Sequence, residues 1–351
     1  MPRVDQILAD MQFGDAVTDH ALALRAELHA MGCESEIYAE NIHPKLQGSV
    51  RSIAEFSGGD CVIHHFAIGS DVNKIVRSLY GIKKVLIYHN ITPPHYFEGY
   101  NLKSQELCAQ ARIQLAQCAG VYDMCLAVSE YNRLELESLR FQNTHVLPIL
   151  YDFSRIEGEA DWKILQAYGE GDNILFLGRI APNKKQQDVI KAFYYYKTTI
   201  NPAARLFLVG SYLGMEKYLS ELIHLTQLLS VKDVYFTGQV SYSEMTAFYQ
   251  VSSMFLSMSE HEGFCVPLLE SMHFHVPVLA YASSAVPETL GKGGVLFSEK
   301  NYPLIAEMMN KLVGEDEFRS KIIKAQDERL TDFDREKVGN QFREWIGELL
   351  G

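Results

Sequence analysis

Short apolar runs rich in Val, Ile and Leu alternate with amphipathic helical segments along most of this chain. This alternation is typical of parallel sheets whose strands are joined by crossover helices. It predicts an α/β fold, because the helices must cover both faces of each apolar strand. A chain of 351 residues is long enough for two such domains in tandem. The strand candidates are RVDQILADM, DCVIHHF, KVLIYH, MCLAVS, HVLPIL, NILFLG, ARLFLVG, VYFTG, SSMFLSM, PVLAYA and GGVLF.

One acidic, glycine-containing stretch over residues 151–172 interrupts the alternation and has few long apolar runs. We place the inter-domain linker and a connecting helix there. A first domain is therefore predicted over residues 1–150 and a second over residues 173–330. The last segment, residues 333–351, carries an apolar helical stripe and is expected to pack back on the first domain.

The net charge, the first residues and the cysteines indicate which partners and which cellular compartment to expect. The formal net charge is −12, from 32 basic and 44 acidic side chains, so the protein repels nucleic acid at long range. Acidic residues near the start interrupt any signal-peptide core, and no apolar run is long enough to cross a bilayer. The six cysteines form no CxxC pair. These observations predict a cytoplasmic protein with reduced thiols.

The first candidate binding loop, GRIAPNK, follows a strand that ends at Gly178. Ligands of parallel sheets sit beyond the carboxyl ends of the strands, which is where this loop lies. Arg179 and Lys184 stand there beside the start of a helix, an arrangement that suits a phosphate or a diphosphate. Taken alone, the loop is equally compatible with basic side chains that face water.

The second candidate loop, SEHEGFCVPLLESM, leads from a strand into a helix whose first turn contains Pro267. We predict that the backbone N–H groups at the start of this helix bind an anion. Glu262 and Glu270 flank the turn, and carboxylates are strong acceptors for hydroxyl groups. Cationic side chains that bind phosphates, together with carboxylates that bind hydroxyl groups, are what a site for a nucleoside diphosphate sugar requires. Taken alone, either glutamate is more simply interpreted as a helix cap or an exposed helix residue. The predicted anion-binding positions are Gly263, Phe264, Cys265 and Val266.

These motifs give the chain a resemblance to glycosyltransferase family 4, a group of retaining enzymes also called group 1 glycosyl transferases. EGFCVPLLESM matches the family's two glutamates eight positions apart, and GRIAPNK matches its phosphate-binding Arg and Lys. The segments around Gly238, Glu288 and Gly294 match as well. The resemblance covers nearly the whole sequence and implies a GT-B fold, in which two Rossmann-like domains face each other across a cleft.

The resemblance also implies roles for individual residues. Glu270 would bind the ribose hydroxyls and Glu262 those of the donor sugar. Arg179 and Lys184 would neutralise the charge of the leaving diphosphate. No cluster of His, Asp and Glu has the spacing of metal ligands, and Arg179 and Lys184 can supply the positive charge, so the sequence predicts neither a metal nor a cofactor.

In the first domain the resemblance points to a glycine loop at Gly14, near the donor and the acceptor. It also points to His89 in IYHNITPPHYFEGYN as the histidine that touches the donor sugar, although a core histidine at a strand end is the plainer interpretation. The aromatic residues after it, Tyr96, Phe97 and Tyr100, are equally compatible with stacking on sugar faces and with a core beneath a long loop.

Three positions depart from the family pattern. Cys265 stands where the family has a glycine at the helix entry. His275 stands where a glycine usually ends that helix. Gly14 is followed by Asp15 instead of a second glycine, which places an acid near the acceptor path.

The sequence therefore predicts a retaining transferase that moves a hexose from a nucleoside diphosphate sugar to a saccharide or lipid-linked saccharide in glycan biosynthesis. A UDP-sugar is the favoured donor, with a GDP-sugar as the second choice. Weak peripheral membrane contact through a lipid-linked acceptor stays compatible with the acidic charge. The alternatives are a nucleotide-sugar epimerase or inverting enzyme of similar fold, and a non-catalytic nucleotide-sugar-binding subunit. A nicotinamide-dependent dehydrogenase is discounted because no GxGxxG follows a strand.

Overall fold

The computed structural model describes residues 1–351 and contains two parallel sheets with helices between successive strands. This confirms the predicted α/β class. The chain divides into two compact units. The first comprises Met1–His95, Leu102–Asp152 and Phe333–Gly351, and the second comprises Tyr96–Asn101 and Phe153–Asp332.

The first unit is built on a seven-stranded parallel sheet. Its strands are β1 Val4–Met11, β2 Ile37–Ile42, β3 Arg51–Ser52, β4 Cys61–Phe66, β5 Lys83–Tyr88, β6 Met124–Ala127 and β7 Thr144–Val146. Their order in the sheet is β3-β2-β1-β4-β5-β6-β7. The helices are α1 Ala16–Ala30, α2 Val72–Ser78, α3 Leu102–Ala116 and α4 Glu130–Ser138.

The second unit is built on a six-stranded parallel sheet. Its strands are β8 Asn173–Leu177, β9 Arg205–Val209, β10 Val234–Gly238, β11 Met254–Ser257, β12 Val278–Tyr281 and β13 Val295–Phe297, in the order β10-β9-β8-β11-β12-β13. The helices are α5 Trp162–Tyr168, α6 Gln186–Thr199, α7 Glu216–Leu228, α8 Tyr242–Val251, α9 Val266–His273, α10 Val286–Leu290, α11 Tyr302–Gly314 and α12 Asp316–Leu330.

The last helix, α13 Arg335–Leu350, belongs to the first unit, where its buried face meets α1. Arg343 forms an ion pair with Glu27 of α1. The ring of Trp345 lies 5.0 Å from that of His145. The stripe of apolar residues read from the sequence is therefore buried within the first unit.

Three strands and one boundary differ from the sequence interpretation. The sequence analysis did not identify β2, whose second half is exposed and polar, so it shows no continuous apolar run. It also did not identify β3, which consists of two exposed polar residues. The predicted strand HVLPIL is reduced to β7, since Pro148 cannot donate to a strand ladder. Tyr96–Asn101 lie with the second unit although they fall inside the predicted 1–150 domain.

No helix of the chain combines the length and the apolar character that a membrane span requires. No group of three or more His, Cys, Asp or Glu side chains is arranged to hold a metal ion. All six cysteines are buried and none takes part in a disulfide bond.

Candidate functional site

The strand order of the second sheet reverses between β8 and β11. Strands that start from such a point carry their following helices to opposite faces, so a crevice opens beyond their carboxyl ends. The two loops that enter this crevice run from Gly178 to Lys184 and from Met258 to Cys265. Both predicted binding loops therefore lie at the topological switch point of the second unit.

The two loops are tied together by backbone and side-chain hydrogen bonds. The backbone N–H of Glu260 donates to the carbonyl of Asn183 at 2.9 Å. The Asn183 amide donates to the carbonyl of His261 at 3.1 Å. Buried Gln186 donates to the carbonyl of Arg179 at 3.0 Å, which fixes the other end of the first loop. The relative positions of the cationic and acidic residues are thus set without a ligand.

The centre of the crevice is an ion pair between two residues that the sequence analysis singled out. The Nζ of Lys184 lies 2.6 Å from both carboxylate oxygens of Glu262. The Glu262 side chain is 7% exposed and that of Lys184 is 23% exposed. Burial lowers the pKa of Lys184, but the Glu262 carboxylate outweighs it and the net shift is upward. Lys184 is therefore a cation at neutral pH.

The backbone around Glu262 is fixed by Ser284, whose hydroxyl lies 2.7 Å from the Glu262 backbone nitrogen and accepts its hydrogen bond.

The ammonium group of Lys184 has three N–H donors, and the two oxygens of Glu262 use two of them. One donor of Lys184 remains for a further anionic oxygen. The pair can therefore hold a negative group beside the carboxylate without breaking.

Glu270 is the second acid of the site and lies one turn into α9, where it is 5% exposed. The hydroxyl of Tyr249, on α8, donates to its carboxylate at 2.7 Å. The Tyr249 ring is fully buried and stacks on Phe274. Sequence reasoning missed Tyr249, because only its tertiary position distinguishes it from the other apolar residues of α8.

The entry to α9 departs from helical geometry at Cys265, which caps the helix in the left-handed region at φ 73°. His275, just past the end of α9, is also left-handed at φ 54°. These are the two positions where the family pattern has glycine, so the backbone keeps the glycine-type conformation with larger residues. Burial, followed by the Glu262 carboxylate, holds the pKa of the Cys265 thiol well above its usual range. The thiol is therefore protonated and uncharged.

Arg179 lies two residues beyond the end of β8 and is exposed. Its guanidinium donates one hydrogen bond, to the carbonyl of Leu213 at 3.1 Å. Most of its five donors are left for solvent or a ligand.

Gly238, predicted near the donor, ends β10 with φ 73° and accepts a hydrogen bond from Gly210 N–H at 3.0 Å. Gly210 in turn lies so close to β8 that a Cβ there would be 2.1 Å from the carbonyl oxygen of Gly178. The strand ends beside the crevice are therefore packed backbone against backbone.

The remaining predicted residues, Gly14 and His89, lie in the first unit. Gly14 precedes α1 at φ 78°, and Asp15 accepts hydrogen bonds from the first N–H groups of that helix. The acid noted in the sequence is thus a helix cap. His89 follows β5, with its Nε2 bonded to His65 and its buried Nδ1 without a partner.

The aromatic loop after His89 belongs to the second unit. The Tyr96 hydroxyl lies 3.2 Å from Glu260, and the Tyr100 hydroxyl donates to Glu221 at 2.7 Å. Phe97 is buried. Both tyrosine hydroxyls are therefore bonded to acids, which the sequence analysis did not foresee.

A family model described as glycosyl transferases group 1 matches residues 159–329, which include every predicted site residue of the second unit. The mannosyltransferase WbdA of Escherichia coli is 26% identical over 147 residues, which are 41% of this chain and 18% of that protein. A GDP-mannose-dependent α-(1-6)-phosphatidylinositol monomannoside mannosyltransferase of Mycobacterium tuberculosis is 25% identical over 219 residues, 58% of this chain and 56% of that protein. The chain thus spans less than two thirds of the length of these relatives.

Solved structures share the fold over nearly the whole chain. HepE of Anabaena, solved in complex with UDP-glucose, superposes with a TM-score of 0.78 at 16% identity and covers 99% of this chain and 100% of that one. Sucrose-phosphate synthase of Thermosynechococcus elongatus gives a TM-score of 0.76 at 14% identity, with 99% of each chain covered. The GT-B fold predicted from the sequence is confirmed.

Proposed function

We propose that this chain is a group 1 glycosyltransferase, a retaining enzyme that transfers a hexose from a nucleoside diphosphate sugar; the family model that matches residues 159–329 supports this. The acceptor is a saccharide or a lipid-linked saccharide. One observation carries the proposal: two cations and two buried carboxylates converge on the switch point of the second sheet. No cofactor is needed, since the donor carries its own leaving group.

The cations suit the diphosphate. Lys184 keeps a donor beyond its pair with Glu262, and Arg179 is exposed with most of its donors available. A guanidinium binds two phosphate oxygens at once, and the N-terminal end of α9 adds a positive dipole. The backbone from Gly263 to Val266 would line this side of the diphosphate.

The carboxylates suit hydroxyl groups. Glu270, held by Tyr249, would accept from the ribose, and Glu262 would accept from the transferred sugar. In the transfer, the bond between the anomeric carbon and the diphosphate breaks, and the acceptor oxygen bonds to that carbon on the same face. The acceptor's proton passes to the departing phosphate oxygen. Because the new bond forms on the face that the diphosphate leaves, the configuration of the anomeric carbon is retained. Lys184 and Arg179 offset the charge that develops on the diphosphate.

The donor is a UDP-sugar in our proposal, with a GDP-sugar as the second choice. HepE was solved with UDP-glucose, and the mycobacterial relative is named for GDP-mannose. The contributions of Gly14 and His89 to donor binding stay predictions.

A thermal-unfolding screen with UDP, GDP, ADP, TDP and NAD tests donor class. A ligand at 100 times its Kd stabilises the folded state by about 2.7 kcal/mol. We expect a shift with one nucleoside diphosphate and none with NAD, and we expect Arg179→Ala to abolish it. The same shift for all five compounds, or for none, would contradict the proposal.

Donor hydrolysis and the product anomer test the reaction. We expect slow release of nucleoside diphosphate from the matching sugar nucleotide without any acceptor, and an α-linked product from an α-linked donor by NMR. Inverted product would indicate the inverting alternative. Tight donor binding with no hydrolysis and no transfer across an acceptor panel would indicate a non-catalytic binding subunit.

A further inference from the structure

Three histidines of the first unit form a buried cluster at the ends of neighbouring strands. His65 lies on β4, His89 follows β5, and His20 lies on α1. The rings of His65 and His89 stack 5.2 Å apart, and the His20 ring meets both edge-on. His20 and His65 are almost completely buried, and both nitrogens of His20 lack hydrogen-bond partners.

Gln6 on β1 is hydrogen-bonded to the histidine cluster, and the orientation of its side-chain amide is fixed by its surroundings. The Gln6 Nε2 donates to the carbonyl of Ala21 at 3.0 Å. A carbonyl oxygen accepts only, so the reverse orientation would place two acceptors against each other. The Gln6 Oε1 therefore faces Nε2 of His65, at 2.8 Å.

This orientation sets the proton positions on both rings. The His65 Nε2 must carry the proton, because Gln6 Oε1 can only accept. Burial, followed by the neighbouring histidines, holds the pKa of His65 well below its usual range, so the ring is neutral and its Nδ1 is a lone pair. That Nδ1 lies 2.9 Å from Nε2 of His89, which must therefore donate. Burial, followed by His20, likewise lowers the pKa of His89.

The series of hydrogen bonds from Gln6 through His65 to His89 ends at the Nδ1 atom of His89. This nitrogen is unprotonated in that tautomer, and it is buried and has no hydrogen-bond partner. A buried acceptor without a donor is costly, and a ligand hydroxyl would relieve that cost. We propose that Gln6 and His65 are positioning residues that hold His89 in the tautomer with Nδ1 unprotonated, so that His89 accepts a hydrogen bond from a sugar hydroxyl. The identity of the ligand rests on the proposed function, whereas the tautomer follows from the first unit alone.

The first test is the tautomer itself, read from histidine ring nitrogens by long-range ¹H–¹⁵N NMR on the ¹⁵N-labelled full chain. We expect His65 and His89 both to carry the proton on Nε2 and to have unprotonated Nδ1 atoms. A proton on His89 Nδ1 would overturn the proposal. This result does not depend on any substrate.

The second test uses two substitutions of Gln6. Gln6→Leu removes the acceptor for His65 and should mix the tautomers of His89. Gln6→Glu in its acid form can still donate to Ala21 and accept from His65, and should restore the wild-type pattern. Tyr122→Phe is the matched control, because it removes a buried hydrogen bond of 2.7 Å to the neighbouring His64.

The kinetic readout is hydrolysis of UDP-glucose or GDP-mannose, whichever the wild-type chain hydrolyses, beside the Kd of the free nucleoside diphosphate. We expect Gln6→Leu to lower kcat/KM about tenfold, the scale of one neutral hydrogen bond, with an unchanged nucleoside diphosphate Kd. Gln6→Glu and Tyr122→Phe should stay near wild type. Wild-type kinetics in Gln6→Leu would overturn the positioning role.

The two proposals fail in different ways. A wild-type chain that binds no nucleoside diphosphate and hydrolyses no donor refutes the proposed function, while the NMR experiment still decides the tautomer. If the chain hydrolyses donor but His89 carries its proton on Nδ1, the positioning of His89 by Gln6 and His65 is refuted and the proposed function stands.

Discussion

Glu262→Gln separates the role of this acid in catalysis from its role in the folded state. The substitution keeps the shape of the side chain but removes the charge that pairs with Lys184 at 2.6 Å. A hydrogen bond to a charged group contributes about 1.5–3 kcal/mol. Since the Lys184 side chain is 23% exposed, water partly replaces the lost partner, and we expect the lower part of that range.

Loss of the ion pair between Lys184 and Glu262 should lower the Tm of the second unit. For domains of about 150–250 residues, 1 kcal/mol shifts Tm by roughly 2–4 °C. A loss of about 1.5–2 kcal/mol should then lower the Tm of the second unit by roughly 3–8 °C. Differential scanning calorimetry measures this shift directly.

Glu262→Gln should affect donor hydrolysis and nucleoside diphosphate binding differently. Glu262 is proposed to bind the transferred sugar, which free UDP or GDP lacks, and the substitution frees Lys184 for the diphosphate. Donor hydrolysis should therefore fall by about a hundredfold or more, while the affinity for the nucleoside diphosphate is unchanged or increases. Titration calorimetry and a nucleotide-release assay measure the two quantities.

Glu260→Gln is the control, because Glu260 also pairs with lysines, with Lys300 at 2.7 Å and with Lys185 at 3.0 Å. This carboxylate lies two residues away and has no proposed contact with the sugar. It should show wild-type donor hydrolysis despite some loss of stability. Equal losses of activity in both variants, or a weaker nucleoside diphosphate affinity in Glu262→Gln alone, would refute the assigned role.

Three further predictions concern stability and binding. Tyr249→Phe should destabilise the fold by about 1.5–3 kcal/mol and weaken nucleoside diphosphate binding, measured by denaturant unfolding and calorimetry, since it leaves a buried carboxylate without that donor. Gly210→Ala should cost about 3 kcal/mol or more, because its Cβ would clash with backbone, whereas Gly347→Ala, with open space in a helix, should be neutral or stabilising in the same assay. His20 has a pKa lowered to about 3 by burial, so stability should fall as the pH drops from about 6.5 to about 3, where only the unfolded state takes up the proton. His20→Leu should reduce that slope by up to about 1.4 kcal/mol per pH unit in unfolding titrations, and an unchanged slope would contradict the assignment.

The amino-acid sequence by itself determined the fold class and the location of the candidate site. Apolar strand runs and amphipathic helices are local patterns, so they predicted two parallel α/β units in which β2 and β3 were missed and β7 was overextended. The loops with Arg179, Lys184 and Glu262 were identified because ligands of parallel sheets collect at strand ends. The helix entry at Pro267 was likewise predictable from neighbouring residues in the sequence.

Only the tertiary structure decided how those groups are paired. Lys184 and Glu262 are 78 positions apart, so no spacing rule could show that the predicted phosphate ligand already holds the predicted sugar ligand. The same holds for Gln6 and His65, which are 59 positions apart and meet because β1 and β4 are neighbours in the sheet. Local sequence fixes which residues reach a strand end, but the strand order brings those ends together and thereby sets the charges and protons of the site.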